Sequence, residues 1–343
     1  MGRDGGHARG EGATLMRFSR RIVGIGVLLF VLSALSFALL HVMPGSVEEQ
    51  ILAQNPSLTP EAIDRIRTLR GLDRSGVERY GCWLLGNHGD LCAWWPGGSG
   101  VLFGDLGWSS VHRERVAPLL WRRFSITFAL MFPAMLLSLL VAVPLGAFAA
   151  SDPRVDRVAR ALTFLGLSTP GHWTALFAVF LFAVTLGWFP ASGVTSVDDT
   201  GFFDRVYHAV LPVAVLMVVF VSRWSRFVRD AVRDALAEPF VQTARAKGLD
   251  ERQVLWGHAV KNALFPLITV VTQSLPALFS GAVIVEQVFA HPGVGLLLFE
   301  SVHAQDLLVA RVVFLVYAAA TMIAMALADT LYRWADPRLR SST

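Results

Sequence analysis

The chain has 343 residues, of which 54% are hydrophobic and only 16% are charged. Soluble domains carry about 25% charged residues, so this composition argues against a water-soluble globular protein and favours a chain that lies in a lipid bilayer. The net charge is +4, and Lys247 and Lys261 are the only lysines, so almost all of the positive charge is arginine. The arginines cluster beside apolar runs and do not form a separate basic domain, which argues against a nucleic-acid partner.

The N-terminal region combines a polar stretch with the first apolar run. Residues 1–16 are rich in glycine and lack an apolar face, so we expect a disordered N-terminal extension. A basic run, Arg17–Arg21, then precedes the apolar run Ile22–Val42. This run is too long for a signal-peptide core, and no small-residue cleavage site follows it. We therefore predict that residues 17–42 contain a first transmembrane helix that is retained.

Six apolar runs are candidates for helices that cross about 30 Å of hydrocarbon. They are Ile22–Val42, Ser125–Ala150, Ala161–Gly187, His208–Ser222, Ala263–Val285 and Val312–Leu331. The fourth run is short, so a buried helix that does not span the membrane is the alternative there. The sequence predicts an all-α polytopic membrane protein with six transmembrane helices.

The distribution of arginine predicts the orientation of these helices. Basic residues precede the first run, lie between the second and third and between the fourth and fifth, and follow the sixth. The two short loops on the opposite side hold only Arg205 and Arg311. Because basic residues mark the cytoplasmic side, both termini, including the tail 336–343, are predicted to be cytoplasmic. Residues 43–123 then form a long extracytoplasmic segment, and residues 124–335 form a five-helix transmembrane core.

Two cysteines, Cys82 and Cys92, fall in the predicted extracytoplasmic segment. An oxidising compartment permits a disulfide between them, and the intervening chain is long enough to close the loop. We favour this bridge over two free buried thiols.

The segment Phe240–His258, between the fourth and fifth apolar runs, is basic and is interrupted by a glycine. Pro239 suits the first turn of a helix, Gly248 suits a left-handed helix cap, and Asp250 with Gln253 has the spacing of a capping box. The pattern predicts a short helix, a glycine turn and a second capped helix.

Two interpretations of this segment stay open. Its basic residues Arg245, Lys247 and Arg252 can contact a partner protein, or they can hold a surface helix to anionic lipid. The chain lacks a Walker phosphate loop, an HExxH helix and a G-x-S-x-G turn. We therefore expect no catalytic residues, no metal site and no ATP hydrolysis by this chain.

Two function classes fit the sequence poorly. A secondary transporter or channel that works alone often places charges near the middle of the membrane, whereas the charges here lie mainly at the ends of the apolar runs. An intramembrane enzyme would need paired catalytic residues at a shared depth, and the sequence offers none.

The run Gln242–Leu249, continued by His258, Asn262, Ala263 and Pro266, resembles the cytoplasmic signature of permease subunits of ABC importers. The resemblance is to the dipeptide, oligopeptide and nickel class, and it covers most of the chain from Met16 onward. Further stretches that resemble the family, in the expected order, are Arg17–Arg21, Met43–Gly45, Gly104–Gly107, Glu286–Gly295 and Asp336–Arg338. The general signature begins with Glu-Ala-Ala, whereas this chain begins with Gln242, Thr243 and Ala244.

The resemblance implies a cytoplasmic coupling helix, within a loop at residues 223–262, that sits in a cleft of an ATPase subunit. It assigns this coupling role to Gln242, Thr243, Ala244, Arg245, Ala246, Lys247, Gly248 and Leu249. It also implies a second homologous permease, two ATP-binding subunits that hold ATP and Mg²⁺, and an extracytoplasmic substrate-binding protein. The expected location is the bacterial inner membrane, and this chain itself is expected to bind no cofactor. The solute stays open between dipeptide, longer peptide, nickel chelate and another small solute.

Overall fold

The computed structural model describes residues 23–38, 59–69, 71, 73–86, 92, 98–197, 199–280 and 282–335. Within these ranges the regular structure is helical, and the β-type pairing is confined to an isolated bridge between Trp108 and Arg115. The predicted all-α fold class is therefore confirmed. The predicted N-terminal extension, 1–16, and the predicted tail, 336–343, lie outside the described residues.

The helices are numbered here in chain order within the described ranges. They are α1 (Val23–Ala38), α2 (Pro60–Leu69), α3 (Gly76–Leu85), α4 (Val116–Ser151), α5 (Pro153–Ser168), α6 (Gly171–Ala178), α7 (Phe202–Ala237), α8 (Pro239–Ala246), α9 (Glu251–Val254), α10 (Val260–Ser274), α11 (Pro276–Ser280), α12 (Val283–Val288), α13 (Val294–His303) and α14 (Leu307–Ala335). Two π-helical stretches, Val179–Thr185 and Leu255–Ala259, continue α6 and α9.

Three helical stretches of the described chain are long and apolar enough to cross a membrane: Val116–Ser151, Phe202–Ala237 and Leu307–Ala328. Two bent pairs also qualify, Pro153–Ser168 with Gly171–Thr185 and Glu251–Leu264 with Pro266–Leu278. The first predicted span is represented by the shorter apolar helix α1. The chain is thus a polytopic helical protein, and the count of six spans stays a prediction.

The third predicted span, Ala161–Gly187, is not one continuous helix. The chain bends by 105° between α5 and the helix that begins at Gly171. Thr169 is extended, with φ −87° and ψ 124°, and Pro170 follows it. Proline disfavours the helical conformation of the residue before it, which accounts for the break at this position.

The fourth predicted span, His208–Ser222, lies inside the 36-residue helix α7, which runs from Phe202 to Ala237. A helix of this length is about 54 Å long, well beyond the hydrocarbon thickness. The arginines that follow Ser222 therefore lie on this helix, and the loop predicted at residues 223–262 begins later than expected.

Internal contacts divide the chain into two units, residues 1–121 with 298–322 and residues 122–297 with 323–343. The first unit contains a small core around the buried residues Cys82 and Trp83. Cys82 and Cys92 are joined by a disulfide, with their Cα atoms 5.5 Å apart. The Tyr80 hydroxyl lies 2.6 Å from the Ser33 hydroxyl, which connects α3 to α1.

The first unit also contains the Gly104–Gly107 motif, which forms a turn around Asp105. The Asp105 carboxylate accepts hydrogen bonds from the N–H of Gly107 at 3.0 Å and the N–H of Gly98 at 2.6 Å. The Gly107 hydrogen bond is the main reason that the pKa of Asp105 lies below its ordinary value. The carboxylate therefore holds the turn in its ionised form.

The second unit is organised around α7, which packs against α4, α5 and α10. Trp224, Val228 and Val232 are fully buried along one face of this helix. Two glycines allow close approach. A Cβ on Gly146 would lie 2.7 Å from the Ser225 carbonyl oxygen, and a Cβ on Gly166 would collide with the Ser222 hydroxyl. At Gly146 the neighbour is backbone, so a larger residue would displace a helix, whereas at Gly166 the Ser222 side chain would have to move.

Candidate coupling surface

The segment between α7 and α10, residues 238–259, is called the connector below. Glu238 alone separates α7 from α8, with ψ at 147°, and Pro239 occupies the first position of α8. Proline costs nothing there, because a first-turn N–H has no partner inside the helix. The predicted start of the short helix at Pro239 is confirmed, and α8 follows α7 with almost no intervening chain.

A glycine turn and a second capped helix follow α8, as predicted. Gly248 has φ +84°, a left-handed conformation that side chains with a Cβ disfavour. Its N–H donates to the Arg245 carbonyl at 2.9 Å, and the Leu249 N–H donates to the Ala244 carbonyl at 3.4 Å. Asp250 and Gln253 then form the complete capping box of α9. Local sequence chemistry therefore determines the shape of the connector.

The connector has a small apolar core of its own. Val241, Ala244 and Val254 are buried together, with Leu236 and Leu249 packed against them. Ala244 is only 4% exposed, so it belongs to this core and not to the outer surface. Of the eight residues predicted to take part in coupling, Ala244 is thus buried and Leu249 half-buried. The exposed ones are Gln242, Thr243, Arg245, Ala246, Lys247 and Gly248.

The charge of Arg245 is already paired within the connector. Its Nε donates to Glu251 at 2.8 Å, and its Nη2 donates to the other carboxylate oxygen at 3.0 Å. Two parallel hydrogen bonds match the planar guanidinium to the carboxylate. The predicted role of Arg245 in coupling stays a prediction, and its guanidinium is already bound to Glu251 in the isolated chain. Within the connector, all of whose residues the structure describes, Lys247 and Arg252 are the exposed cations without an ion pair.

An acidic groove lies where α7 meets the connector. A groove of about 630 Å³ is lined by Asp230, Asp234 and Glu238, together with Phe227 and Phe240. The three acidic residues are spaced four apart, which places them on one face of a helix. This spacing is visible in the sequence, so the acidic face could have been predicted.

A buried acid joins α5 to α7 below the connector. Asp156 is 4% exposed. Its carboxylate lies 3.1 Å from Arg229 Nη1, 2.8 Å from Arg233 Nη2 and 3.2 Å from Arg160 Nη2. These four residues are called the Asp156 cluster below. Burial opposes an ionised carboxylate, and the three guanidinium groups offset that cost.

The arginines of the Asp156 cluster are more than markers of membrane orientation, because all three contact a buried carboxylate. The local signal was the spacing of Asp156 and Arg160, which places opposite charges one helical turn apart. The pairing with Arg229, 73 residues along the chain, depends on tertiary structure.

The segment Glu286–Gly295 contains a second buried acid. Thr127 donates to one carboxylate oxygen of Glu286 at 2.7 Å, and the Leu296 N–H donates to the other at 2.8 Å. Burial raises the pKa of Glu286, although these hydrogen bonds act in the opposite direction. A Cβ on Gly293 would collide with Glu286 and Thr127, so glycine is required beside the carboxylate. The arrangement fixes the segment to α4 and offers no reactive group.

The described residues contain no group of three or more histidine, cysteine, aspartate or glutamate side chains that could hold a metal ion. In the connector and the Asp156 cluster, the acidic side chains Glu251 and Asp156 pair with arginines.

Comparison with family models gives two matches that together cover most of the chain. Residues 142–341 match the model described as "Binding-protein-dependent transport system inner membrane component". Residues 15–131 match the model of the N-terminal part of such membrane components. Both the connector and the Asp156 cluster fall within the first match.

Curated proteins of similar length match almost end to end. The chain is 31% identical over 324 residues to the oligopeptide transport system permease protein AppB of Bacillus subtilis, covering 93% of this chain and 97% of that protein. It is 32% identical over 323 residues to a putative peptide transport system permease protein of Brucella abortus, covering 94% of this chain and 98% of that protein. It is 29% identical over 323 residues to the glutathione transport system permease protein GsiC of Shigella flexneri, covering 94% and 97%.

Proposed function

Because the chain belongs to the family of binding-protein-dependent transport system inner membrane components, we propose that it moves peptides through a pathway formed with a second permease. The chain is the membrane-spanning permease subunit of an ABC importer of the peptide class, and it is not an enzyme. Nucleotide hydrolysis is the task of a separate subunit in this family. Membership of this family argues against the alternative, a transporter that works alone and is driven by an ion gradient.

We propose a peptide as the solute because curated relatives with nearly the same length are named for oligopeptide, peptide and glutathione transport. Glutathione is itself a small peptide, so these names share one chemical class. The relatives do not distinguish a dipeptide from a longer peptide, and a separate extracytoplasmic binding protein is proposed to make that selection.

The proposed partners are a second homologous permease, two ATP-binding subunits with their ATP and Mg²⁺, and the binding protein. The proposed orientation places both termini and the connector in the cytoplasm, where the basic residues concentrate. The disulfide between Cys82 and Cys92 supports an oxidising location, outside the cytoplasm, for the segment predicted at residues 43–123.

The proposed contact with an ATP-binding subunit is the exposed face of α8 and its glycine turn. The observation that carries this proposal is the connector itself, a short helix with its own buried core that projects from the end of α7. Within it, Gln242, Lys247 and Gly248 are exposed, and Lys247 is an unpaired cation. Arg245 instead contributes by holding α8 to α9 through Glu251.

Co-purification with the ATP-binding subunits tests this contact. Lys247→Glu is expected to reduce the amount of ATP-binding subunit retained by the tagged permease, because it reverses the charge at the proposed contact. Arg205→Glu is the matched control, since Arg205 is an exposed cation at the opposite end of α7. Equal retention by wild type and both variants would show that Lys247 does not contact the subunit. Failure of the wild type to retain any ATP-binding subunit would contradict the proposed function.

A further inference from the structure

The Asp156 cluster lies between the connector and the broken span. On one side, Arg229 and Arg233 occupy the last turns of α7, which leads into α8 after a single residue. On the other side, Asp156 lies in the first turn of α5, which ends at the 105° bend. The cluster therefore connects the helix that carries the connector to the helix that carries the bend.

The cluster resists separation of α5 from α7. Asp156 is 4% exposed, and its two oxygens together contact three guanidinium groups. Pulling α7 away from α5 would break the contacts of Asp156 with Arg229 and Arg233 and leave it with Arg160 of its own helix. These charge-assisted contacts are lost when the helices separate, so the cluster opposes separation at this point.

A second contact fixes the same pair of helices farther along. Gly166 of α5 lies against Ser222 of α7, so closely that a Cβ on Gly166 would collide with the serine hydroxyl. The ten residues from Asp156 to Gly166 span about 15 Å of helix. The two helices are therefore in contact at both ends of this stretch of about 15 Å, at the Asp156 cluster and at Gly166.

We propose that Asp156 is a positioning residue that transmits movement of the connector, through Arg229 and Arg233, to α5 and the bent span beyond it. The inference rests on the proposed function, in which ATP-binding subunits move the connector. Asp156 does not touch nucleotide or peptide in this scheme. Its contribution is to make α5 move together with α7 when the ATP-binding subunits move the connector.

The test uses the complete transporter in liposomes: this permease, its partner permease, the ATP-binding subunits and the binding protein. Peptide uptake and ATP hydrolysis are measured together for each assembled complex. Asp156→Asn is expected to lower the peptide transported per ATP hydrolysed between about fivefold and a hundredfold, the range typical of coupling between two sites. ATP hydrolysis itself is expected to continue, because the connector remains intact.

Two matched controls separate this role from a general loss of charge. Asp152→Asn removes an acid from the N-cap of the same helix, where asparagine caps equally well, and is expected to leave the transport ratio unchanged. Arg233→Gln removes the 2.8 Å contact but leaves the other two arginines, so a smaller loss is expected. Its control is Arg226→Gln, which changes an exposed arginine two turns earlier on α7.

If Asp156→Asn does not fold, Arg233→Gln still tests the same contact. Arg233 is half-exposed and Asp156 keeps two partners, so this variant is expected to fold. If either variant assembles and transports the wild-type amount of peptide per ATP, Asp156 has only a structural role and the inference is overturned. A wild-type complex without ATP-dependent uptake would instead contradict the proposed function. The two failures are thus distinguishable.

Discussion

The α5–α7 junction consists of the Asp156 cluster and the contact of Gly166 with Ser222. This junction and the connector each combine an acid–arginine contact with a glycine, but different physical effects maintain the two regions. At the junction, Asp156 is buried and Gly166 is required by a neighbouring helix. In the connector, the Arg245–Glu251 pair is exposed, and a Cβ on Gly248 would meet nothing within 4 Å. The junction is therefore maintained by tertiary packing, whereas the connector is maintained by local backbone preference.

This difference suits the proposed roles of the two regions. A surface that contacts a partner can tolerate exposed, water-screened charges, which contribute little to stability. A junction that transmits displacement needs contacts that are costly to break. An acid–arginine pair therefore suits partner recognition in the connector, where it is exposed, and rigidity between α5 and α7, where the acid is buried.

The largest effect is expected from Asp156→Asn, which leaves Arg233 without its carboxylate and leaves Arg229 with Asp230 alone. We expect a loss of about 1–3 kcal/mol in the free energy of unfolding, less than for a fully buried pair because the arginines reach solvent. Thermal unfolding of the purified permease measures this loss. Asp152→Asn is the control, and equal unfolding temperatures for the two variants would contradict the burial argument.

Gly166→Ala is expected to act at the same junction by steric collision with Ser222. Inserting a methyl group into a close helix contact typically costs about 1–3 kcal/mol. Ser222→Ala, combined with Gly166→Ala, removes the hydroxyl that the new Cβ meets and is expected to recover part of the stability. Thermal unfolding that is unchanged in the single variant would show that the helices are farther apart than described.

Gly248→Ala is expected to have a smaller effect, because the new Cβ has open space around it and only the left-handed backbone is strained. That strain typically costs about 1 kcal/mol. Hydrogen exchange of the α8 and α9 amides is expected to become faster, while the α7 amides stay protected. Faster exchange throughout α7 would contradict the view that the connector is a locally determined unit.

The smallest effect is expected from exchanging the charges of the exposed pair. Arg245→Glu alone places two acids together, whereas Arg245→Glu combined with Glu251→Arg restores an opposite-charge pair. The double variant is expected to retain the ATP-binding subunits nearly as well as wild type. Loss of retention in the double variant, but not in Glu251→Gln, would show that the partner requires the Arg245 cation itself.

Much of the fold was predictable because its causes are local. Long apolar runs predict helices in a bilayer. Lipid offers the backbone N–H and C=O groups no hydrogen-bond partners, and a helix pairs these groups within the segment itself. Pro239, Gly248 and the Asp250–Gln253 capping box predicted the shape of the connector, because each acts through its own backbone neighbours. These features required no knowledge of the tertiary structure.

The features that were missed depend on distance and geometry. The extended Thr169 before Pro170 turned a predicted single span into two helices, although proline elsewhere in the chain, as at Pro212, lies inside a continuous helix. The pairing of Asp156 with Arg229 joins residues far apart in the chain. Likewise, Arg245 meets Glu251 only because the Gly248 turn folds α9 back toward α8.

Chemical labelling from outside the cell shows on which side of the membrane the connector lies. In intact cells, a membrane-impermeant maleimide is applied to Lys247→Cys and, as a positive control, to Val77→Cys, which replaces an 82% exposed side chain in the predicted extracytoplasmic segment. The wild type supplies the background, because Cys82 and Cys92 are joined to each other. The account predicts labelling of Val77→Cys in intact cells, and labelling of Lys247→Cys only after the cells are opened, with protection by the ATP-binding subunits. Labelling of Lys247→Cys in intact cells as rapidly as Val77→Cys would contradict it.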